Sequence, residues 1–117
     1  METVEIKIGI DIISSYRFLK SYKAGGEAFI KRLFTPQEIR QNTKEQLVSI
    51  FCLKESIIKA LQLPQDSWLT INTNRRANGK VECSFIDPKI AKMISSIDTS
   101  ISHEGQWIVA AAIVVLQ

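Results

Sequence analysis

Phe51-Cys52-Leu53-Lys54-Glu55-Ser56-Ile57-Ile58-Lys59-Ala60 is the stretch on which the reading of this chain turns. Leu47, Ile50, Phe51, Ile57, Ile58 and Leu61 recur with the 3.6-residue period of an amphipathic helix. At about 100° per residue, Lys54 falls near the centre of that apolar stripe, with Glu55 and Lys59 together on its flank. A charge aimed at a core needs a partner, because an unpaired buried ion is costly. Two readings are open. Either Lys54 meets an anionic ligand or a polar pocket, or it snorkels off the edge of the stripe while Glu55 and Lys59 form an ordinary i,i+4 pair.

Working outward, Thr43-Lys44-Glu45-Gln46 is a capping box that opens this helix, and Pro64 ends it. Ahead of it, Phe34-Thr35-Pro36-Gln37-Glu38-Ile39 is another helix start, with Thr35 as cap, Pro36 at the first position, Glu38 reaching back and Phe34 packing on Ile39. Residues 4–10 alternate, with Val4, Ile6, Ile8 and Ile10 on one face, and predict a half-buried strand. Asp11 follows at its end. A helix is expected over 12–23, broken by Gly25-Gly26, with a short helix over 27–33. Downstream, 69–73 and 81–86 read as strands joined by a loop containing Asn78-Gly79. Asp87-Pro88 caps a helix to about residue 96, and strands over 99–103 and 107–116 flank a turn at Glu104-Gly105.

The order β-α-α-α-β-β-α-β-β predicts an α+β fold, a mainly antiparallel sheet packed against helices with one long central helix. The last strand is apolar on both faces, so the outer face of the sheet should also be covered, and neighbouring subunits would cover it.

The length and composition fit one domain over 1–117 with an ordinary soluble core. Cys52 and Cys83 form no disulfide framework, and the N-terminus alternates like a strand instead of presenting a signal peptide, so a cytoplasmic home is expected. The apolar run 107–116 is too short for a membrane span. The net charge of +3 is mild, but Arg17, Lys20, Lys23, Lys31 and Arg32 gather against a single acid, Glu27. A basic face of this kind is either plain solvated surface or a landing place for an acidic or phosphate-rich partner. Few aromatics are interleaved with those charges, which weakens a single-stranded nucleic-acid reading.

Two carboxylates stand out. Asp11, at a strand-to-helix junction, is either an N-cap, the better-supported role on residue type, or a ligand. Glu55 offers a second carboxylate from a distant helix, and two carboxylates beside lysines suit a magnesium ion shared with a phosphate. His103, the only histidine, lies in Ser100-Ile101-Ser102-His103-Glu104-Gly105, a polar hairpin end, which speaks against a zinc site or a serine–histidine triad. No paired CxxC, GxGxxG or P-loop motif is present.

Taken in order, Ile8-Gly9-Ile10-Asp11-Ile12 with Arg17, Lys31 to Ile39, Phe51 through Lys54-Glu55-Ser56 to Lys59-Ala60, Gly79-Lys80, and Ser100-Ile101-Ser102-His103 resemble the 4′-phosphopantetheinyl transferases. The likeness is to the short holo-acyl-carrier-protein synthase type, and it spans nearly the whole chain. It implies transfer of 4′-phosphopantetheine from coenzyme A to a serine of an apo acyl carrier protein, with release of adenosine 3′,5′-bisphosphate. By position, Asp11 and Glu55 would bind Mg2+, Glu55 would help deprotonate the serine, and Lys59 would stabilise the leaving phosphate. Lys54, Lys59, Ser102 and His103 would contact the coenzyme, and Arg17, Lys20 and Lys23 would receive the acidic carrier. The resemblance also implies a homotrimer with sites shared between subunits, and neither nucleic acid nor membrane as a partner.

The sequence departs from that pattern at three places. Ile50 stands where the family usually has arginine, Leu61-Gln62-Leu63-Pro64-Gln65 lacks the usual glycine turn, and Val81 replaces the proline after Gly79-Lys80. These departures keep a second reading open, a catalytically degenerate trimeric relative that binds a carrier protein or nucleotide without transfer.

Overall fold

Both capping boxes form as the sequence requires. Thr35 and Glu38 exchange bonds at the start of α2 (Pro36–Gln41), and Thr43 and Gln46 do so at the start of α3 (Lys44–Leu61). The computed structural model describes residues 3–117. Besides these helices it contains β1 (Glu5–Ser14), α1 (Ser15–Leu33), a 3-10 turn (Ser67–Thr70), β2 (Ile71–Arg75), β3 (Val81–Phe85), α4 (Pro88–Met93), β4 (Ile94–Glu104) and β5 (Trp107–Leu116). The expected α+β architecture and element order are met.

Two antiparallel sheets form, β1-β5-β4 and the hairpin β2-β3. In the larger sheet β5 is central, pairing with all of β1 from Glu5↔Leu116 to Ser14↔Trp107 and with β4 on its other edge. This pairing carries β1 four residues beyond the expected end. Asp11 is therefore inside the strand opposite Ala110, and Ser14 caps α1, accepting from the backbone N–H of Arg17. The N-cap role proposed for Asp11 is overturned. The two expected N-terminal helices run as one, kinked at Gly26, whose φ of 64° and ψ of −150° suit glycine alone.

α3 packs across β1 and β5, burying Leu47, Ile50, Leu53 and Ile57 against Ile108, Ala110 and Ala112. The approach is closest at Gly9. A Cβ there would lie 1.9 Å from the carbonyl oxygen of Ser56 and 2.6 Å from the nitrogen of Ala60. Glycine thus lets the Ser56–Ala60 turn press onto β1, two residues from Asp11.

The alternation of β1 is real but inverted relative to the core. Gly9 faces α3, while Ile6, Ile8, Ile10 and Ile12 stand on the other face, each 60% exposed or more. Their cross-strand neighbours Val115, Ile113, Ala111 and Val109 continue that apolar face onto β5. The last strand is thus apolar on both sides, as its sequence indicates, and within one chain only one side is covered.

Candidate functional site

Lys54 is fully buried, and its ammonium is saturated. Nζ donates to Glu38 Oε1 at 2.6 Å and to the carbonyls of Leu33 and Trp68 at 3.0 Å each. Glu38 is equally buried; its Oε1 also accepts from the Thr35 N–H, and its Oε2 from the N–H and hydroxyl of Thr73. Burial pulls the Lys54 pKa below the ordinary lysine value against the opposing pull of Glu38. This pair ties α2, α3, β2 and the 3-10 turn together. The expected contact of Lys54 with the coenzyme is therefore corrected: the side chain points away from any surface and has no free donor.

One turn along, the same helix makes a different pair. Lys59 reaches across the Gly9 contact to donate to Asp11 Oδ1 at 2.9 Å and to the Ile10 carbonyl at 3.2 Å. Its side chain remains 55% exposed. An ammonium carries three donors, so one stays open to a ligand. The hydrogen bond to Asp11 raises the Lys59 pKa, with the charges of Asp11 and Glu55 adding to it. Glu55 thus lies in the same electrostatic neighbourhood, but the i,i+4 pair with Lys59 is not made: Glu55 Oε1 accepts from the indole Nε1 of Trp68 at 2.6 Å instead.

Cys52 closes the floor beneath Asp11. Its thiol donates to the Asp11 carbonyl at 3.4 Å and to the Ile108 carbonyl at 3.5 Å. Burial, with the Asp11 charge second, pushes its pKa up to about 12, so it is a protonated donor and not a nucleophile.

Asp11 and Glu55 are hard oxygen donors flanking a lysine, a set that fits Mg2+ and does not resemble a zinc site. Among the described residues, no group of three or more histidine, cysteine or acidic side chains gathers to hold a metal alone. Asp11 and Glu55 would supply a bound Mg2+ with two oxygen ligands and no third side chain.

Ser102 and His103 do not join this cluster. Asp11 is opposite Ala110, and Ala110 opposite Ile101, so β5 lies between β1 and the β4 segment. Strand alternation then sends Ser102 to the outer apolar face with Val109 and Ile12. His103 instead lines a groove of about 410 Å3 with Glu45, Ser49, Arg75, Lys80 and Thr99, at the opposite end of α3. Arg17, Lys20 and Lys23 are exposed on α1, and Arg17 borders a mostly apolar hollow of about 400 Å3 with Phe18, Phe51 and Trp107.

At the departures, Ile50 is 1% exposed and belongs to the core. The glycine-free end of α3 places Gln62 in the left-handed region, with φ 53° and ψ 41°. Trp68 and the Lys54–Glu38 pair escaped the sequence reading. Glu38 stood out only as a cap, and nothing local marks Trp68.

The β1–α3 contact thus gathers a carboxylate and a half-exposed lysine on an α+β frame of antiparallel sheet and helices. The family model of the 4′-phosphopantetheinyl transferase superfamily matches residues 7–112, and the chain belongs to that family as an enzyme of the holo-[acyl-carrier-protein] synthase type. The holo-[acyl-carrier-protein] synthase of Dehalococcoides mccartyi is 32% identical over 113 residues, a match covering 90% of this chain and 94% of the relative. The crystal structure of the Helicobacter pylori synthase in complex with coenzyme A aligns with a TM-score of 0.82 at 29% identity, covering 92% of this chain and 98% of that one. The Neisseria meningitidis synthase aligns with a TM-score of 0.79 at 28% identity, covering 92% and 96%.

Proposed function

We propose that this chain transfers the 4′-phosphopantetheine group of coenzyme A to a serine hydroxyl of an apo acyl carrier protein, giving holo carrier protein and adenosine 3′,5′-bisphosphate. The observation that carries this reading is the half-exposed Lys59, held by Asp11 beside Glu55 with one donor to spare. In the reaction the serine oxygen forms a bond to the phosphorus bearing the pantetheine arm. The P–O bond to the adenosine bisphosphate breaks, and the electron pair leaves with that group. Glu55 takes the serine proton, and Lys59 places its free N–H on the departing phosphate. Asp11 fixes the direction of Lys59. Asp11 and Glu55 would hold Mg2+, which when bound neutralises charge on the phosphates.

The acidic carrier would dock on Arg17, Lys20 and Lys23, which stand exposed on α1. The exposed Ile6-Ile8-Ile10-Ile12 face is the surface a homotrimer would cover. Trimerisation would also account for the separation of His103 from Lys59, because a shared site can take the His103 groove from one copy and the Asp11 cluster from another. Two free cysteines suit a cytoplasmic setting. No helix among the described residues is long and apolar enough to cross a membrane.

Incubation with coenzyme A, magnesium and an apo carrier, followed by mass spectrometry of the carrier, tests the proposal. A gain of one phosphopantetheine group is expected. No gain across several carriers that a control synthase modifies would contradict it; carrier binding without transfer would instead mark a degenerate relative, the alternative that the departures at Ile50 and the glycine-free turn kept open.

A further inference from the structure

The hydrogen bond that holds Glu55 comes from a part of the chain that no other step of the proposed reaction uses. Trp68 sits in the 3-10 turn between α3 and β2 and is gripped twice by consecutive residues of α3. Lys54 Nζ donates to its carbonyl at 3.0 Å, and its own indole Nε1 donates to Glu55 Oε1 at 2.6 Å. The ring is also half-buried against Phe51, at a centroid separation of 6.0 Å. Both ends of Trp68 are thus anchored, and the anchor of its backbone is the sealed Lys54–Glu38 pair.

We infer that Trp68 is a positioning residue for Glu55, locking one carboxylate oxygen so that the other faces the reacting groups. An indole N–H can only donate, so Trp68 holds Oε1 without competing for the serine proton. The bond from Trp68 is the one hydrogen bond the Glu55 carboxylate makes among the described residues, and Glu55 borders a hollow of about 190 Å3 with Ile58, Gln65, Asp66 and Trp68. The buried network has an output in this scheme: Glu38 fixes Lys54, Lys54 fixes the Trp68 backbone, and the Trp68 ring fixes Glu55. A fixed carboxylate matters because small misplacements of a reacting group can cost ~100-fold in rate.

The inference rests on Glu55 as the base, and its test separates the two. Trp68→Phe keeps the apolar ring and removes the donor. Transfer should slow by about tenfold or more in kcat, with KM for coenzyme A within about threefold, the pattern of a group misplaced after binding. Melting should fall by only a few degrees. In the Trp68→Phe, Glu55→Gln double variant the loss should be no greater than in Glu55→Gln alone, since Trp68 acts through Glu55. Should Trp68→Phe fold poorly, benzothienylalanine installed at position 68 keeps the bicyclic shape and lacks only the N–H, with the same kcat loss expected. Unchanged kcat in a folded donor-free variant, with Glu55→Gln inactive, overturns the positioning role. Full activity of Glu55→Gln overturns the reading of Glu55 itself, and this inference with it.

Discussion

α3 makes two lysine–carboxylate pairs, Lys54–Glu38 and Lys59–Asp11, with nearly the same chemistry and opposite surroundings. In the first, both side chains are wholly sealed and every donor of the ammonium is used. In the second, Asp11 is mostly covered while Lys59 is more than half exposed and keeps a donor free. Their pKa values move apart accordingly, down for Lys54 by burial and up for Lys59 by its bond to Asp11. Spare bonding capacity at a surface, and not the presence of a paired lysine, separates the pair proposed to react from the structural joint. The joint still serves the site, since it fixes the turn from which Trp68 reaches Glu55.

The sharpest way to break this contrast is to exchange the consequences of losing each lysine. Lys54→Met leaves Glu38 charged and sealed, and removing one partner of a buried pair typically costs about 3 to 5 kcal/mol. A thermal melt should fall by roughly 10 °C or more. Lys59→Ala should do the reverse, slowing transfer about a hundredfold or more while shifting the melt by only a few degrees, because exposed pairs contribute little to stability. The Lys59 pKa is raised above 10.5, so whatever stability its pair with Asp11 gives is fully present below that pH and is lost as pH climbs through the higher folded value. A smaller effect is expected at the end of the helix, where Gln62→Gly relieves a left-handed backbone. That change should stabilise by no more than about 1 kcal/mol, read as a slightly higher denaturation midpoint.

Sequence periodicity located Lys54 correctly at the centre of an apolar stripe, yet it could not choose the partner. Glu38 lies in a different helix, and its role as a cap was complete in itself, so nothing local announced a second bond to Lys54. Local rules failed next door for the same reason. The i,i+4 spacing pairs Glu55 with Lys59 on an isolated helix, but the glycine at position 9 brings β1 within reach and Asp11 takes Lys59 instead. The cap reading weighed for Asp11 failed because the length of β1 is set by β5, nearly a hundred residues later in the chain. The capping boxes, the element order and the doubly apolar β5 were legible because each depends on neighbours in sequence or on strand alternation alone. Which face of β1 meets the core was not, since its isoleucine face points away from α3.

Lysine acylation of the native protein, mapped by mass spectrometry with and without coenzyme A, tests the distinction between the two pairs most directly. Lys59 should be modified in the free protein and protected when coenzyme A is bound, and Lys54 should stay unmodified until the chain is unfolded. Modification of Lys54 in the native state, with protection by coenzyme A, would contradict the account and return that residue to the binding surface.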